Sequence, residues 1–219
     1  GATLVVARYG RGFVDLNRDA RELDPAMFTD GAPRKSGLPT ARVEAGLGAL
    51  PRVSAHGDHI YGRRMTRMEG ERRLSEVHDA YHALISSELD TLRDTHGEAV
   101  LIDCHSMPSS QTGRRMLPDI VLGDRFGSSC DTRLTGLTER TFRAMGYSVA
   151  RNSPYAGGYT TRRYGRPRRG VHALQIEINR ALYMDEASLK AHAGFETLKR
   201  DITALCRILL DYSNLAAAA

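Results

Sequence analysis

Between Glu71 and His96 apolar residues recur at intervals of three and four. Leu74, Val77, Tyr81, Leu84, Ile85, Leu89 and Leu92 fall on one face of a helix, with Gly97 placed to stop it. A second helix is predicted over Thr132 to Met145, closed by Gly146. A third runs from about Glu186 to Tyr212 and buries Leu189, Phe195, Leu198, Ile202, Leu205, Ile208 and Leu209. Short apolar runs predict strands. Thr3 to Ala7 and the run Phe13 to Leu16, joined by Tyr9-Gly10-Arg11-Gly12, read as two; Ala99 to Asp103, Tyr147 to Ala150 and Val171 to Ile178 read as three more. Strands alternating with helices imply a sheet covered by helices, and polar residues at the carboxyl ends of such strands mark the edge where ligands gather.

Two stretches lack periodicity. Residues 19–69 are rich in Gly, Pro and Arg and are read as an irregular insertion or lid within a single domain spanning 1–219. The loop from Asn152 to Gly170 is rich in glycine and arginine. Because Thr3 to Ala7 reads as a strand with no lead-in, an upstream segment is expected to be missing.

With 219 residues and 41% hydrophobic content the chain can bury a substantial core, which excludes a disordered tail or a small disulfide scaffold. No apolar run of about 18 residues and no signal-peptide pattern occurs, so a soluble, cytoplasmic protein without membrane contact is expected. Cys104, Cys130 and Cys206 form no CxxC pair and suggest a reducing compartment. The net charge of +5 comes from arginine, with lysine only at 35, 190 and 199. Arginine forks suit carboxylate or phosphate, so a small anionic substrate is the expected partner.

Four places carry candidate chemistry. Asp103-Cys104-His105-Ser106 puts an imidazole beside a carboxylate at a strand end, where it can bind a metal or move a proton, or simply cap the strand. Glu177, between Ile176 and Ile178, is costly to bury unless paired or functional, and burial would raise its pKa toward that of a general base. An edge-strand glutamate facing water is the other reading. Asn17-Arg18 sets an amide beside a guanidinium, suited to a carboxylate or to an ordinary turn. In the block Gly157 to Arg169, Tyr159 and Arg162 read as substrate-facing and Arg168 and Arg169 as solvated, while the glycines suit a small ligand better than a nucleic acid. The pair His78 and His82 lacks the glutamate of HExxH, and His56 and His59 lack standard zinc spacing, so both stay outside the site. Cys104 reads as a buried, inert thiol on the strand face opposite His105.

The segments VARYGRGFVDLNRD, LIDCHSMPS, LPDIVLGDRFGSSCD and NSPYAGGYTTRRYGRPRRGVHALQIEINRALYMDE together resemble the N-formylglutamate amidohydrolase family, from about Val6 to Glu186. That family is similar in fold to the zinc carboxypeptidases. The resemblance implies a three-layer α/β/α sandwich around a mixed sheet, of the phosphorylase/hydrolase-like kind, with one zinc ion per chain. It implies His105 as a zinc ligand, Glu177 as general base, Asn17 and Arg18 on a substrate carboxylate, and the loop from Gly157 to Arg162, with Tyr159 and Arg162, at the substrate. The family's other zinc ligands belong to a Pro-His-Ser-Gly-like segment, expected upstream of Gly1. The implied activity is zinc-dependent cleavage of N-formyl-L-glutamate or a similar N-acyl acidic amino acid, a step associated with histidine degradation. A carboxypeptidase-like peptide hydrolase and a non-catalytic anion or nucleic-acid binder are the alternatives.

Overall fold

The computed structural model describes residues 2–33, 37, 40–54, 57–110 and 116–217. His56 and Lys35, both read above, lie outside them. The chain divides into two compact units, Leu4–Glu88 and Leu89–Ala219, the latter with residues 1–3.

In the first unit, α1 (Ala41–Glu44) and α2 (Arg67–Arg73) begin at Thr40 and Thr66, whose side chains accept from Val43 N and Glu69 N. The Thr66 cap starts the long helix four residues earlier than its apolar stripe indicates. It continues through a π-helical stretch, Leu74–Asp79, into α3 (Ala80–His96). Val14, Leu23, Met27, Phe28, Leu50, Met65 and Leu74 form this unit's own core, so the irregular 19–69 stretch contributes much of it.

The two N-terminal strands expected from the sequence do not form. Leu4 and Val6 are 84% and 66% exposed, and residues 2–8 carry no ladder. Apolar and β-branched residues favour a strand only where a neighbour pairs with and covers them. From Gly10 the chain turns, with Phe13 N donating to Gly10 O at 2.9 Å, and Asp15 N then donates to Ala49 O at 2.8 Å.

The second unit is built on a mixed sheet. In chain order it contains β1 (Ala99–Met107), β2 (Ile120–Gly123), α4 (Thr132–Ala144), β3 (Val149–Arg151), α5 (Tyr159–Tyr164), β4 (Val171–Asn179), the hairpin β5 (Met184–Asp185) and β6 (Lys190–Ala191), and α6 (Gly194–Ala217). The four-stranded sheet has the order β1-β4-β2-β3, with β1 parallel to β4, β2 antiparallel to β4 and parallel to β3. β1 extends four residues beyond the predicted Asp103, because its ladder with β4 continues to Met107↔Asn179 after the apolar pattern has ended. The last helix starts eight residues later than expected. Leu189, placed in its stripe from the sequence, sits instead in the hairpin turn at φ 58° and 70% exposed, with Asp185 Oδ1 accepting from Ser188 N at 2.7 Å.

Alternation along β4 sets what each face does. Leu174 and Ile176 pack with Ile120 and Leu122 of β2, Leu134 and Phe142 of α4 and Leu205 and Leu209 of α6. Full burial of each such side chain contributes about 1.5–3 kcal/mol. Ala173, Gln175 and Glu177 therefore point to the opposite face, where α5 packs on β4.

At the end of β2, Gly123 lets the Ala156–Gly157 backbone pass directly over it: a Cβ there would stand 2.6 Å from Gly157 N. Gly157 itself has φ 112°. Gly123→Ala should push this loop away and cost about 1–3 kcal/mol, read as a lower urea midpoint at unchanged m-value; an unaltered midpoint would show that the close approach is not required.

Candidate active site

The β1–β4 register places His105 opposite Glu177 and Asp103 opposite Gln175. Paired residues of adjacent strands share a face and residues two apart on a strand do too, so all four polar side chains stand on one side of the sheet. Asp103 Oδ1 lies 3.0 Å from His105 Nε2. Glu177 is 7% exposed, and its Oε1 accepts from Gln175 Nε2 at 2.8 Å. Gln175 Oε1 in turn accepts from Gly158 N at 2.8 Å, tying the carboxylate to the residue that precedes α5. Two carboxylates, an imidazole and the amide that orients one of them make an acid–base constellation: one group is available to take a proton and another is held in a set orientation.

Asp103 and Gln175 were not singled out as site residues from sequence. The signal was present in the spacing, since each is two residues from a candidate on the same strand face. The second oxygen of Asp103, Oδ2, is buried with no hydrogen-bond partner among the described residues.

Tyr159 and Arg162 lie on α5. The Arg162 guanidinium stands 5.5 Å from the centre of the Tyr159 ring, and Tyr159 Oη accepts from Arg163 Nη1 at 2.6 Å. They are linked to Glu177 through Gly158 and Gln175, and Arg162 also lines a cavity described below.

Asn17 and Arg18 belong to the other unit and are held by their own network. Buried Asp15 accepts from Arg11 Nη2 at 2.7 Å and from Asn17 N at 3.0 Å. Arg18 Nε donates to Leu47 O and Nη1 to Asn17 O, and Nε also lies 3.9 Å from Asp15 Oδ2. Burial lowers the Arg18 pKa from its ordinary value, against the opposing pull of Asp15.

His78 and His82 hold this turn in place. Each is 2% exposed, and their Nε2 atoms lie 2.9 Å from Arg18 O and 3.0 Å from Leu16 O. A carbonyl only accepts, so both rings carry the proton on Nε2. The π-helical stretch containing His78 lies at this point, as such stretches often do at functional sites. The four-residue spacing was visible in the sequence; the acceptors, some sixty residues upstream, were not.

Cys104 departs from expectation. It is exposed, on the strand at the edge of the described four-stranded sheet, yet desolvation and neighbouring Asp103 push its thiol up to about 11, so it supplies little thiolate near neutral pH.

A histidine oriented by a carboxylate and set across a parallel ladder from a buried glutamate, at the strand ends of a mixed sheet, defines an α/β protein equipped for acid–base chemistry. The sequence model of N-formylglutamate amidohydrolase matches residues 1–184, and the chain belongs to that family. It is 37% identical over 193 residues to an N-formylglutamate deformylase of Pseudomonas aeruginosa and 34% identical over 196 residues to one of Pseudomonas putida, covering 85% of this chain in both cases. The chain spans 66% of the length of these relatives. The crystal structure of N-formylglutamate amidohydrolase from Ralstonia eutropha superposes with a TM-score of 0.87 at 35% identity, covering 94% of this chain and 75% of that one. A gene product of Agrobacterium tumefaciens shares the fold, with a TM-score of 0.54 at 22% identity and coverage of 88% and 67%.

Replacing His82 by Phe keeps a ring in place but leaves Leu16 O unpaired. The expected cost is about 1–3 kcal/mol, with faster amide exchange at residues 15–18; unchanged exchange there would mean that the histidines pack without positioning the turn.

Proposed function

We propose that the protein hydrolyses the amide bond of N-formyl-L-glutamate, or of a similar N-acyl acidic amino acid, giving formate or a small acid and the free amino acid. The observation that carries this reading is the His105–Glu177 pair, held by Asp103 and Gln175, in a chain that shares its family with proteins named N-formylglutamate deformylase. Glu177 takes a proton from the attacking water. A new C–O bond forms at the formyl carbon, Glu177 passes the proton to the amine, and the C–N bond breaks. Asn17, Arg18, Tyr159 and Arg162 are assigned to the substrate's carboxylates, which guanidinium groups recognise well.

Zinc, one ion per chain, is part of the proposal with His105 as a ligand. A mononuclear catalytic zinc needs about three protein ligands. Among the described residues no group of three His, Cys, Asp or Glu could hold a metal ion, so these residues alone do not fit it and no step is assigned to it. A zinc-carboxypeptidase-like three-layer sandwich belongs to the same proposal. No helix among the described residues is long and apolar enough to cross a membrane, and the three free cysteines support a cytoplasmic setting for the reaction.

Formate release from N-formyl-L-glutamate with zinc supplied tests the substrate, and Glu177→Gln tests the role. The variant should lower kcat by about two to four orders of magnitude with KM changed only a few-fold. Unchanged turnover would remove Glu177 from the mechanism, and cleavage of dipeptides without formate release by the unaltered protein would replace the substrate.

A further inference from the structure

A cavity of about 700 Å³ opens between the segment after β2, the end of α5 and the short Pro167–Arg169 turn. Five of its eleven lining residues are arginines, namely Arg125, Arg162, Arg166, Arg168 and Arg169; the others are glycine, serine, threonine and proline. Four of them are exposed, so water and salt screen much of the like-charge repulsion, and a bound anion would relieve what is left. Elsewhere in this unit arginines find carboxylates, as Arg133 does with Asp131 and Arg143 and Arg151 with Glu139. Among the described residues no carboxylate forms a salt bridge with Arg125, Arg166, Arg168 or Arg169. Asp124, beside Arg125 in sequence, is instead used by Gly127 N and Asn152 Nδ2.

The hydroxyls of the cavity hold its walls together. Ser128 Oγ donates to Arg125 O, Ser129 Oγ to Ala173 O and Thr161 Oγ1 to Gly158 O. Arg166 Nη1 donates to Gly165 O and Arg162 O. Gly165 is required here, since a Cβ would stand 2.5 Å from Ser129 Cα. The cavity thus has packed walls, and the guanidinium groups of Arg125, Arg166, Arg168 and Arg169, in no salt bridge with a described carboxylate, are the recognition chemistry it offers.

We propose that this cavity binds a small, non-aromatic polyoxyanion, with several phosphate or carboxylate groups on a compact frame, at a site that borders the proposed substrate side at Arg162 and otherwise lies apart from the His105–Glu177 centre. Guanidinium forks recognise both oxyanions bidentately. The lining contains no aromatic ring on which a base would stack, which disfavours single-stranded nucleic acid. Separation follows from the ladder. Ser129 bonds to Ala173, and Arg166 N donates to Val171 O at 2.7 Å, so the cavity lies beside the start of β4. Glu177 is four to six residues further along, roughly 13–20 Å at the rise of a strand. Arg162, assigned above to the substrate, is left untouched in the test, which rests on the arginines outside that assignment.

Titration calorimetry at constant ionic strength, with tripolyphosphate and with citrate, tests the site. At least one should bind one-to-one, and Arg168→Ala/Arg169→Ala should weaken it at least tenfold, with Arg125→Gln as an independent variant. Glu177→Gln should bind it as the unaltered protein does, and formate release by the double variant without polyanion should be unchanged. Tripolyphosphate alone binding would assign a phosphate source, citrate alone a carboxylate source. The proposal is overturned if neither binds more tightly than sulfate, if the arginine variants keep full affinity, if Glu177→Gln abolishes binding, or if oligothymidylate binds more tightly than both. Loss of catalysis by Glu177→Gln with polyanion affinity intact, or loss of polyanion affinity by Arg168→Ala/Arg169→Ala with formate release intact, separates this site from the proposed reaction.

Discussion

The parallel register between β1 and β4 is the constraint on which the candidate site depends. It brings His105 to Glu177 and Asp103 to Gln175 from positions about seventy residues apart. A slip of one residue would turn the polar set of one strand to the opposite face, and a slip of two would leave His105 beside Gln175 or Asn179. What prevents slippage is the core face. Leu174 and Ile176 are locked among α4, α6 and β2, while α5 and the glycine-lined loop pack on the polar side.

Burial makes this arrangement costly unless its polar atoms are matched. Glu177 has Gln175, Gln175 has Gly158, and His105 has Asp103, which leaves Asp103 Oδ2 as the orphan. The Asp15–Arg18 turn follows the same rule in the other unit. Its carboxylate is met by Arg11 and Asn17 N, and its carbonyls are met by two buried histidines. In both units residues that touch no reacting atom hold the geometry of residues assigned to touch them.

Much of this was legible in the sequence, and what was not has physical causes. The span of α4, the strand β4 and the stripe of α3, apart from Leu84 at 48% exposed, were readable because burial imposes periodicity on residue type. His105 and Glu177 stood out because a polar residue inside an apolar strand needs a reason, and the ladder sets them opposite one another. Leu4 to Ala7 misled, because local composition carries no information about whether a neighbouring strand is there to pair. Leu189 misled in the same way, its hydrophobicity matching a stripe that the hairpin turn at Asp185 and Ser188 interrupts. The roles of His78 and His82 were hidden because their partners are backbone carbonyls, which no residue type announces. Arg168 and Arg169 are exposed, as a linear reading has them; only the folded loop brings them together with Arg125, more than forty residues earlier.

The central claim is that the β1–β4 register makes His105 and Glu177 one functional unit. A double-mutant cycle on formate release, with His105→Ala, Glu177→Gln and the pair combined, measures that coupling directly. Groups acting as a unit are strongly non-additive, so the double variant should be scarcely slower than the slower of the two single variants. Rate losses that multiply would show that the two residues act independently and would contradict the account.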